Sequence, residues 1–202
     1  MGASIEQIKK IRNLTGAGVN AIREALKETD GIEEKALAYL RKKGMAKANK
    51  RKDNSTSFGV IGTYIHSNNQ LVVTVEVNTE TDFAARGEDL KKFANDMALQ
   101  VAAANARFLN VEGIDEKSLK EQKETFMKDL EGKPDNVKEN IVEGKLQKFY
   151  KESVLMKQDL FVDDSKTVED YLSELVAKVG EKIVIKRFIK SKVSEDPMIR
   201  KN

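Results

Sequence analysis

The side chains best placed to do chemistry are three carboxylates, Glu76, Glu80 and Asp82, spread around the end of a predicted strand. Carboxylates that converge in this way could line a site that transfers protons. Alternation along the strand places Glu76 on the face opposite Val75 and Val77, where a solvent-facing acid is the simpler interpretation. We therefore predict no catalytic carboxylate site in this segment.

Other catalytic and metal-binding chemistries lack the residues they need. The chain has no cysteine, which excludes disulfides, thiolate zinc sites and cysteine nucleophiles. Its one histidine, His66, falls at a predicted hairpin turn and lacks the partners of a metal site or a nucleophilic triad. No Gly-x-x-x-x-Gly-Lys-Ser/Thr phosphate loop is present. We predict a binding module that is not an enzyme and has no catalytic residue, metal or cofactor.

An aromatic residue stands directly after the acidic strand end, within the segment Thr81-Asp82-Phe83-Ala84. An aromatic ring at the junction of a strand and a helix is usually a packing residue. The alternative is that Asp82 and Phe83 protrude as a tip that contacts a partner. The residue types by themselves leave both interpretations open.

The first fifty residues predict three short amphipathic helices. Ser4 is the expected cap of the first helix, Thr15–Gly18 ends it, the second stops near Gly31, and the third ends at Gly44. The apolar residues of the first helix recur every three positions and are expected to share one face: Ile5, Ile8, Ile11 and Leu14. Residues 1–52 thus predict a three-helix, ubiquitin-associated-like domain with a basic linker.

Residues 41–52 form that linker, and they carry seven basic side chains and no acid. Cations are favourable near a helix C-terminus, which fits a solvated helix end. A nucleic-acid contact is the alternative, but no aromatic residue is interleaved to stack on bases. We favour the linker, with the domain boundary at residues 53–57.

Residues 55–202 predict a small antiparallel sheet covered by helices on one side. Residues 58–78 alternate as a hairpin, a long amphipathic helix carries residues 90–108, and a late strand covers residues 182–189. Charged and amphipathic helices fill much of the remainder. Strands followed by helices in this arrangement place the chain in the α+β class.

Length and charge limit the class of partner. A chain of 202 residues holds one medium domain, or a small domain and a larger one. The net charge of +3 is too balanced to imply nucleic-acid binding by the whole molecule. No apolar run has the length of a membrane span, and the N-terminus lacks an apolar signal region. We expect a soluble cytoplasmic protein without a membrane or direct nucleic-acid partner.

Two separated segments resemble the signatures of the translation elongation factor Ts family. Leu-Thr-Gly-Ala-Gly at residues 14–18, followed by Arg-Glu-Ala-Leu at residues 23–26, matches the first signature. Residues 75–86, with the Thr-Asp-Phe turn at residues 81–83, match the second. The resemblance extends over essentially the whole chain and implies an N-terminal ubiquitin-associated-like domain before a core and dimerisation domain at residues 55–202.

This resemblance implies a guanine-nucleotide exchange factor that promotes GDP release from elongation factor Tu. The partners that it implies are the GDP-bound and the nucleotide-free forms of elongation factor Tu. The family's Thr-Asp-Phe turn dislodges magnesium and shifts the phosphate-binding elements of that GTPase. Carried over residue by residue, the tip comprises Thr81, Asp82, Phe83 and Ala84.

Further contact positions of the family fall in the first domain and in the hairpin. Those that dock on the GTPase domain correspond to Arg12, Val19, Asn20 and Arg23. Many members carry methionine at the positions of Val19 and Asn20, so the apolar part of this contact differs here. His66 resembles a hairpin tip that reaches another domain of the GTPase.

The single sheet module resembles that of the short family members, because longer members repeat it. A twofold homodimer would restore the docking surface that the second module supplies. The rival hypothesis is a basic RNA- or ribosome-binding protein that reads its partner through residues 41–52. A ubiquitin-type recognition module is a further alternative, which rests on analogy with the three-helix fold.

Overall fold

The computed structural model of this chain describes residues 4–51, 53–104, 106–128, 130 and 134–202. The helices in these ranges are α1 (Ile5–Thr15), α2 (Val19–Glu28), α3 (Glu33–Lys50), α4 (Asp82–Ala85), α5 (Glu88–Ala103), α6 (Glu116–Lys128), α7 (Asp135–Ser153) and α8 (Val168–Val179). The strands are β1 (Phe58–Ile65), β2 (Leu71–Thr79), β3 (Asp159–Leu160), β4 (Asp163–Thr167), β5 (Ile183–Lys192) and β6 (Met198–Lys201). None of the described helices is both long and apolar enough to cross a membrane.

The chain forms two compact units. Unit 1 comprises Met1–Val60, Val77–Phe93 and Glu169–Val184. Unit 2 comprises the three remaining ranges, Ile61–Glu76, Ala94–Val168 and Ile185–Asn202. The predicted boundary at residues 53–57 falls inside unit 1, and the division into domains at 1–52 and 55–202 stays a prediction.

Helices α1, α2 and α3 of unit 1 form the predicted three-helix bundle. Ser4 begins α1 with a capping box, in which its side chain accepts from the Gln7 amide and the Gln7 side chain accepts from the Ser4 amide. Gly16 ends α1 in the left-handed conformation, with φ of 65°, which favours glycine. The buried apolar side chains of the bundle are Ile8, Ile11, Ala17, Ile22, Ala25, Leu26, Ala36 and Leu40.

The prediction that four apolar residues of α1 share one face is wrong. Ile8 and Ile11 are buried, whereas Ile5 is 72 % exposed and Leu14 is 57 % exposed. A helix turns by about 100° per residue, so each step of three residues falls about 60° short of a full turn. Over three steps the deviation reaches about 180°, and the two end residues leave the buried face on opposite sides.

The prediction that the third helix ends at Gly44 is also wrong, because α3 continues to Lys50. Gly44 is buried, and a Cβ atom there would lie 3.0 Å from the Ala177 Cβ and 3.0 Å from the Ser173 carbonyl oxygen of α8. The glycine therefore permits a close helix contact in unit 1. Residues 41–50 of the predicted linker are helical, and Lys52 lies outside the described residues.

The main sheet has the strand order β1-β2-β5-β6, and its presence with the helices confirms the α+β class. Strand β6 pairs antiparallel with β5, with Phe188 opposite Arg200. Strands β3 and β4 form a separate two-stranded sheet. Strand β6 and the β3–β4 pair were not predicted from the sequence, because each is short and β4 consists of polar residues without apolar alternation.

Helix α5 is shorter than the predicted helix over residues 90–108, since it ends at Ala103. Phe108 of unit 2 instead forms a β-bridge with Val154 and packs its ring 6.4 Å from that of Phe149. Its amide donates to the Ser153 carbonyl, and its carbonyl accepts from the Leu155 amide. These backbone bonds exist only in the folded chain, so helical spacing alone assigned Phe108 wrongly.

Two glycines of unit 2 provide a matched test of this packing. A Cβ atom on Gly62 of β1 would lie 2.1 Å from the Ala94 carbonyl carbon and oxygen, whereas one on Gly144 would meet no atom within 4 Å beyond the adjacent backbone of α7. We expect Gly62→Ala to lower the free energy of unfolding by about 3 kcal/mol, because backbone must move. Gly144→Ala should raise it by about 1 kcal/mol through helix propensity. Urea denaturation measures both, and equal effects would contradict the close contact at Gly62.

Candidate partner-binding site

The Phe83 side chain protrudes from unit 1. It is 86 % exposed and lies on α4, the single helical turn that follows β2. A packing residue of the core would have most of its surface buried, so the Phe83 ring does not belong to the core. Its use as a contact for a partner stays a prediction.

Thr81 and Ala84 fix the turn that carries the ring. Thr81 is extended, and its hydroxyl oxygen accepts a hydrogen bond from the Ala84 amide at 3.2 Å, which caps the N-terminus of α4. Ala84 is buried and anchors the turn beneath the exposed ring. Of the four predicted tip residues, the structure therefore exposes Thr81, Asp82 and Phe83 and buries Ala84.

A carboxylate from a distant segment holds the same turn. Glu181, in the loop between α8 and β5, accepts from the Thr81 amide at 3.0 Å and from the Thr81 hydroxyl at 2.7 Å. It also accepts from the hydroxyl of the fully buried Thr79 at 2.9 Å. No sequence pattern pointed to Glu181, because a contact between residues that are a hundred positions apart leaves no local signal.

Glu80 forms a second connection between the strand end and the same loop. Its carboxylate accepts from the Lys182 backbone amide and the Asn54 side chain, and it pairs with the Arg51 guanidinium at 2.9 Å. The hydrogen bond from the Lys182 amide is the largest of the effects that hold the pKa of Glu80 below its ordinary value of 4.5. Glu80 is therefore a structural carboxylate that is stabilised in its charged form.

The three acidic residues considered above as a reactive cluster have separate partners. Glu76 pairs with Arg187 at 2.7 Å within unit 2. Glu80 is held as described, and Asp82 forms an exposed pair with Arg86 at 3.0 Å. Over the part of the chain that the structure describes, no three histidine or acidic side chains converge to hold a metal ion.

The four predicted docking residues lie in the same unit as the tip. Arg12, Asn20 and Arg23 are exposed, and Val19 is half-buried against the core of the bundle. Between them, the Thr15 hydroxyl donates to the Ile11 carbonyl at 2.7 Å and accepts from the Ala17 amide at 3.2 Å. These bonds fix the Thr-Gly-Ala-Gly turn that separates α1 from α2.

His66 belongs to unit 2 and lies at the end of the β1–β2 hairpin, as expected. Its ring is exposed, and its Nδ1 atom lies 3.0 Å from the Tyr64 hydroxyl. Its amide donates to the Leu71 carbonyl and closes the hairpin. His66 is thus available to a partner.

Several basic residues in the second half of α3 and just beyond its end have acidic partners within unit 1. Arg41 pairs with Glu174 at 3.1 Å, Lys43 with Glu24 at 2.5 Å, and Arg51 with Glu80 as described. These pairs reduce the positive charge that segment 41–52 could offer to a nucleic acid. The side chains of residues 47–50 and the whole of residue 52 lie outside the described part of the chain.

The sequence of this chain is similar to those of known proteins over nearly its whole length. A sequence model of the family described as Elongation factor TS matches residues 4–175. The elongation factor Ts of Thermotoga neapolitana is 43 % identical over 196 residues, which cover 97 % of this chain and 100 % of that protein. The proteins of that name from Nitratidesulfovibrio vulgaris and Solidesulfovibrio magneticus are 40 % and 44 % identical, over 97 % and 96 % of this chain and 99 % and 98 % of their own lengths.

The lowered pKa of Glu80 predicts how stability depends on pH. Folding favours the charged form, so this carboxylate contributes stability at pH values above its ordinary pKa of 4.5. The contribution is lost as the pH falls through the lower pKa of the folded state. We expect Glu80→Gln to lower the free energy of unfolding at neutral pH, and the difference from the original protein to shrink in acid.

Urea denaturation at a series of pH values, from neutral pH to below the pKa of the carboxylate, measures this difference. Asn54→Ala is the control, because it removes one hydrogen bond from Glu80 and leaves the titrating group in place. Its effect should depend less on pH. A Glu80→Gln difference that stays constant across the range would contradict the assignment.

Proposed function

This chain belongs to the elongation factor Ts family of translation elongation factors, and we propose that it accelerates release of GDP from elongation factor Tu. The observation that carries the proposal is the exposed Phe83 ring at the family's Thr-Asp-Phe turn. An aromatic ring offers a large contact area at a small cost in side-chain entropy. A ring held outside the core is suited to enter a partner.

The proposed mechanism is displacement, with no covalent step. A GTPase holds GDP through its phosphate loop and a magnesium ion that keeps several water ligands. A factor that binds the nucleotide-free GTPase more tightly must weaken nucleotide binding by the same factor, because the two equilibria are linked. We assign Thr81, Asp82, Phe83 and Ala84 to the tip that dislodges the magnesium and shifts the phosphate-binding elements.

Asp82 supports this assignment because its partner is easily exchanged. Its pair with Arg86 is exposed on both sides, and exposed ion pairs contribute about 0–1 kcal/mol. Asp82 can therefore leave Arg86 for a group of the GTPase at little cost. Ala84 contributes to the same tip by anchoring the turn, since its side chain is buried.

The first helices are proposed to dock on the GTPase domain through Arg12, Val19, Asn20 and Arg23. The exposure of Arg12, Asn20 and Arg23 supports this role, and Val19 adds the apolar part that Asn20 lacks. His66, exposed at the hairpin end, is the proposed contact with another domain of the GTPase. Both GDP-bound and nucleotide-free elongation factor Tu are partners, and the cytoplasm is the proposed location.

We also propose a homodimer, which an apolar surface of unit 2 supports. Ile61 and Ile65 are exposed on β1, on the face opposite the buried Gly62. Ile65, Val72 and Val193 line one shallow groove beside the hairpin. Contiguous exposed apolar side chains are typical of association surfaces, and a second copy would cover them.

The first prediction from this proposal concerns the tip. Phe83→Ala should lower the rate of GDP release from elongation factor Tu by about tenfold or more, or about 1.4 kcal/mol, the scale of one hot-spot residue. The melting temperature should change little, because the ring is outside the core. Release of fluorescent GDP is measured against the concentration of the factor.

The same titration separates the tip from the docking residues. Arg23→Glu should raise the concentration required for half-maximal release and leave the maximal rate nearly unchanged, because a reversed interface charge mainly alters encounter. A Phe83→Ala protein with full activity would refute the role of the ring. Affinity for RNA that falls steeply with salt, without any GDP release, would favour the rival RNA-binding hypothesis.

The second prediction concerns assembly. Sedimentation should show a homodimer, and Ile65→Asp should convert it to a folded monomer, because a charge cannot be buried unpaired in an apolar contact. Thr125→Asp is the control, since Thr125 is exposed on α6 of the same unit and does not line this surface. A monomer for the unmodified chain would contradict the proposal.

A further inference from the structure

The Thr81 hydroxyl makes two hydrogen bonds whose directions depend on each other. It donates to Glu181 Oε1 at 2.7 Å and accepts from the Ala84 amide at 3.2 Å. A hydroxyl has one proton and two lone pairs, so the carboxylate that takes the proton turns a lone pair toward the amide. Glu181 therefore orients the cap of α4, and successive bonds of this kind strengthen one another.

Glu181 and Glu80 connect the same two segments of unit 1 in opposite directions. Glu181 lies in the loop before β5 and accepts from the amide of Thr81, between β2 and α4. Glu80 lies directly after β2 and accepts from the Lys182 amide in that loop. We call these two carboxylates and the two amides the reciprocal clamp. The reciprocal clamp fixes Glu80 and Thr81, the two residues that follow β2.

The tip depends on this clamp because the ring itself has little to pack against. Phe83 is almost fully exposed, so the position of its Cα–Cβ bond is set by the backbone of α4 alone. A helix of four residues has no intrinsic stability, since nucleation is unfavourable in water. The cap, the clamp and the buried Ala84 are the contacts that hold it.

We propose that Glu181 is a positioning residue for GDP exchange, which holds the Phe83 tip in its binding orientation through Thr81. This inference rests on the proposed exchange function and adds a residue outside both sequence signatures. Without Glu181 the ring would still be present, but it would sample orientations that the GTPase must select. Binding then includes the cost of ordering the turn, which lowers the exchange rate at a given concentration.

The first experiment measures the orientation of the tip without any GTPase. The chain has no tryptophan, so Phe83→Trp introduces a single tryptophan at the tip, which is excited selectively at wavelengths that the tyrosines do not absorb. Adding Glu181→Ala should lower the fluorescence anisotropy of this tryptophan as the turn becomes mobile. Glu174→Ala is the matched control, because Glu174 also lies in unit 1 and holds the Arg41 guanidinium. Its anisotropy should equal that of Phe83→Trp alone, and an equal value for Glu181→Ala would overturn the inference.

The second experiment is a double-mutant cycle in the GDP-release assay. Glu181→Ala should slow exchange by about fivefold, the scale of one lost helix cap, and Glu181→Gln should retain part of the rate because its amide oxygen still accepts. In a Phe83→Ala background, Glu181→Ala should lower the rate of GDP release by less than about twofold, because the ring that Glu181 positions is absent. Equal losses in the two backgrounds would overturn the inference.

The two experiments fail in distinguishable ways. If the unmodified chain does not accelerate GDP release, the proposed function is wrong, and the anisotropy still decides whether Glu181 orders the tip. If exchange is normal but Glu181→Ala leaves both anisotropy and rate unchanged, the positioning role alone is wrong. Should Glu181→Ala not fold, Glu181→Gln supplies the same comparison with smaller effects.

Discussion

An aromatic ring that is exposed to water must be held in place by its backbone. This constraint governs the arrangement around Phe83, because side-chain packing cannot fix a ring that is 86 % exposed. The chain meets it by ending β2 at a buried residue, Thr79, and by capping the following turn with Thr81. Ala84, one residue after the ring, is buried and completes the anchor. The exposed residue is thus flanked on both sides by fixed ones.

The same constraint explains why carboxylates collect beneath the tip. A strand that ends in a short turn leaves amide groups without partners from the sheet, and backbone amides need other acceptors. Glu181 and Glu80 accept from the Thr81 and Lys182 amides, and Arg51 offsets the negative charge of Glu80. Such charge-assisted bonds are stronger than neutral ones, which suits a turn that has only four helical residues.

The sequence was most informative where the physics is local. The helix cap at Ser4, the alternating hairpin and the α+β class follow from patterns within a few residues of each other. Predictions failed where distant chain segments decide the outcome. Gly44 looked like a helix end, but its lack of a side chain serves the contact with α8. Phe108 continued a helical spacing, but backbone bonds to residues near Val154 give it another role.

The candidate site divides in the same way. The Thr-Asp-Phe turn was visible in the sequence, because its residues are adjacent and resemble a family signature. Glu181 was not, because its role arises only when the chain brings residue 181 to residue 81. The local pattern therefore predicts the proposed contact residues, whereas Glu181 is found only in the folded chain.

The ordering of the tip before binding affects the proposed exchange activity. A factor shifts an equilibrium only by the difference between its affinities for the two states of its partner. Any free energy used to order the tip on binding is subtracted from the affinity for both states, and so raises the concentration of factor needed without improving discrimination. A tip that is ordered before binding avoids this cost. A turn that is held before binding is therefore what the proposed displacement mechanism requires, because the ring would act on the GTPase only as firmly as its backbone is held.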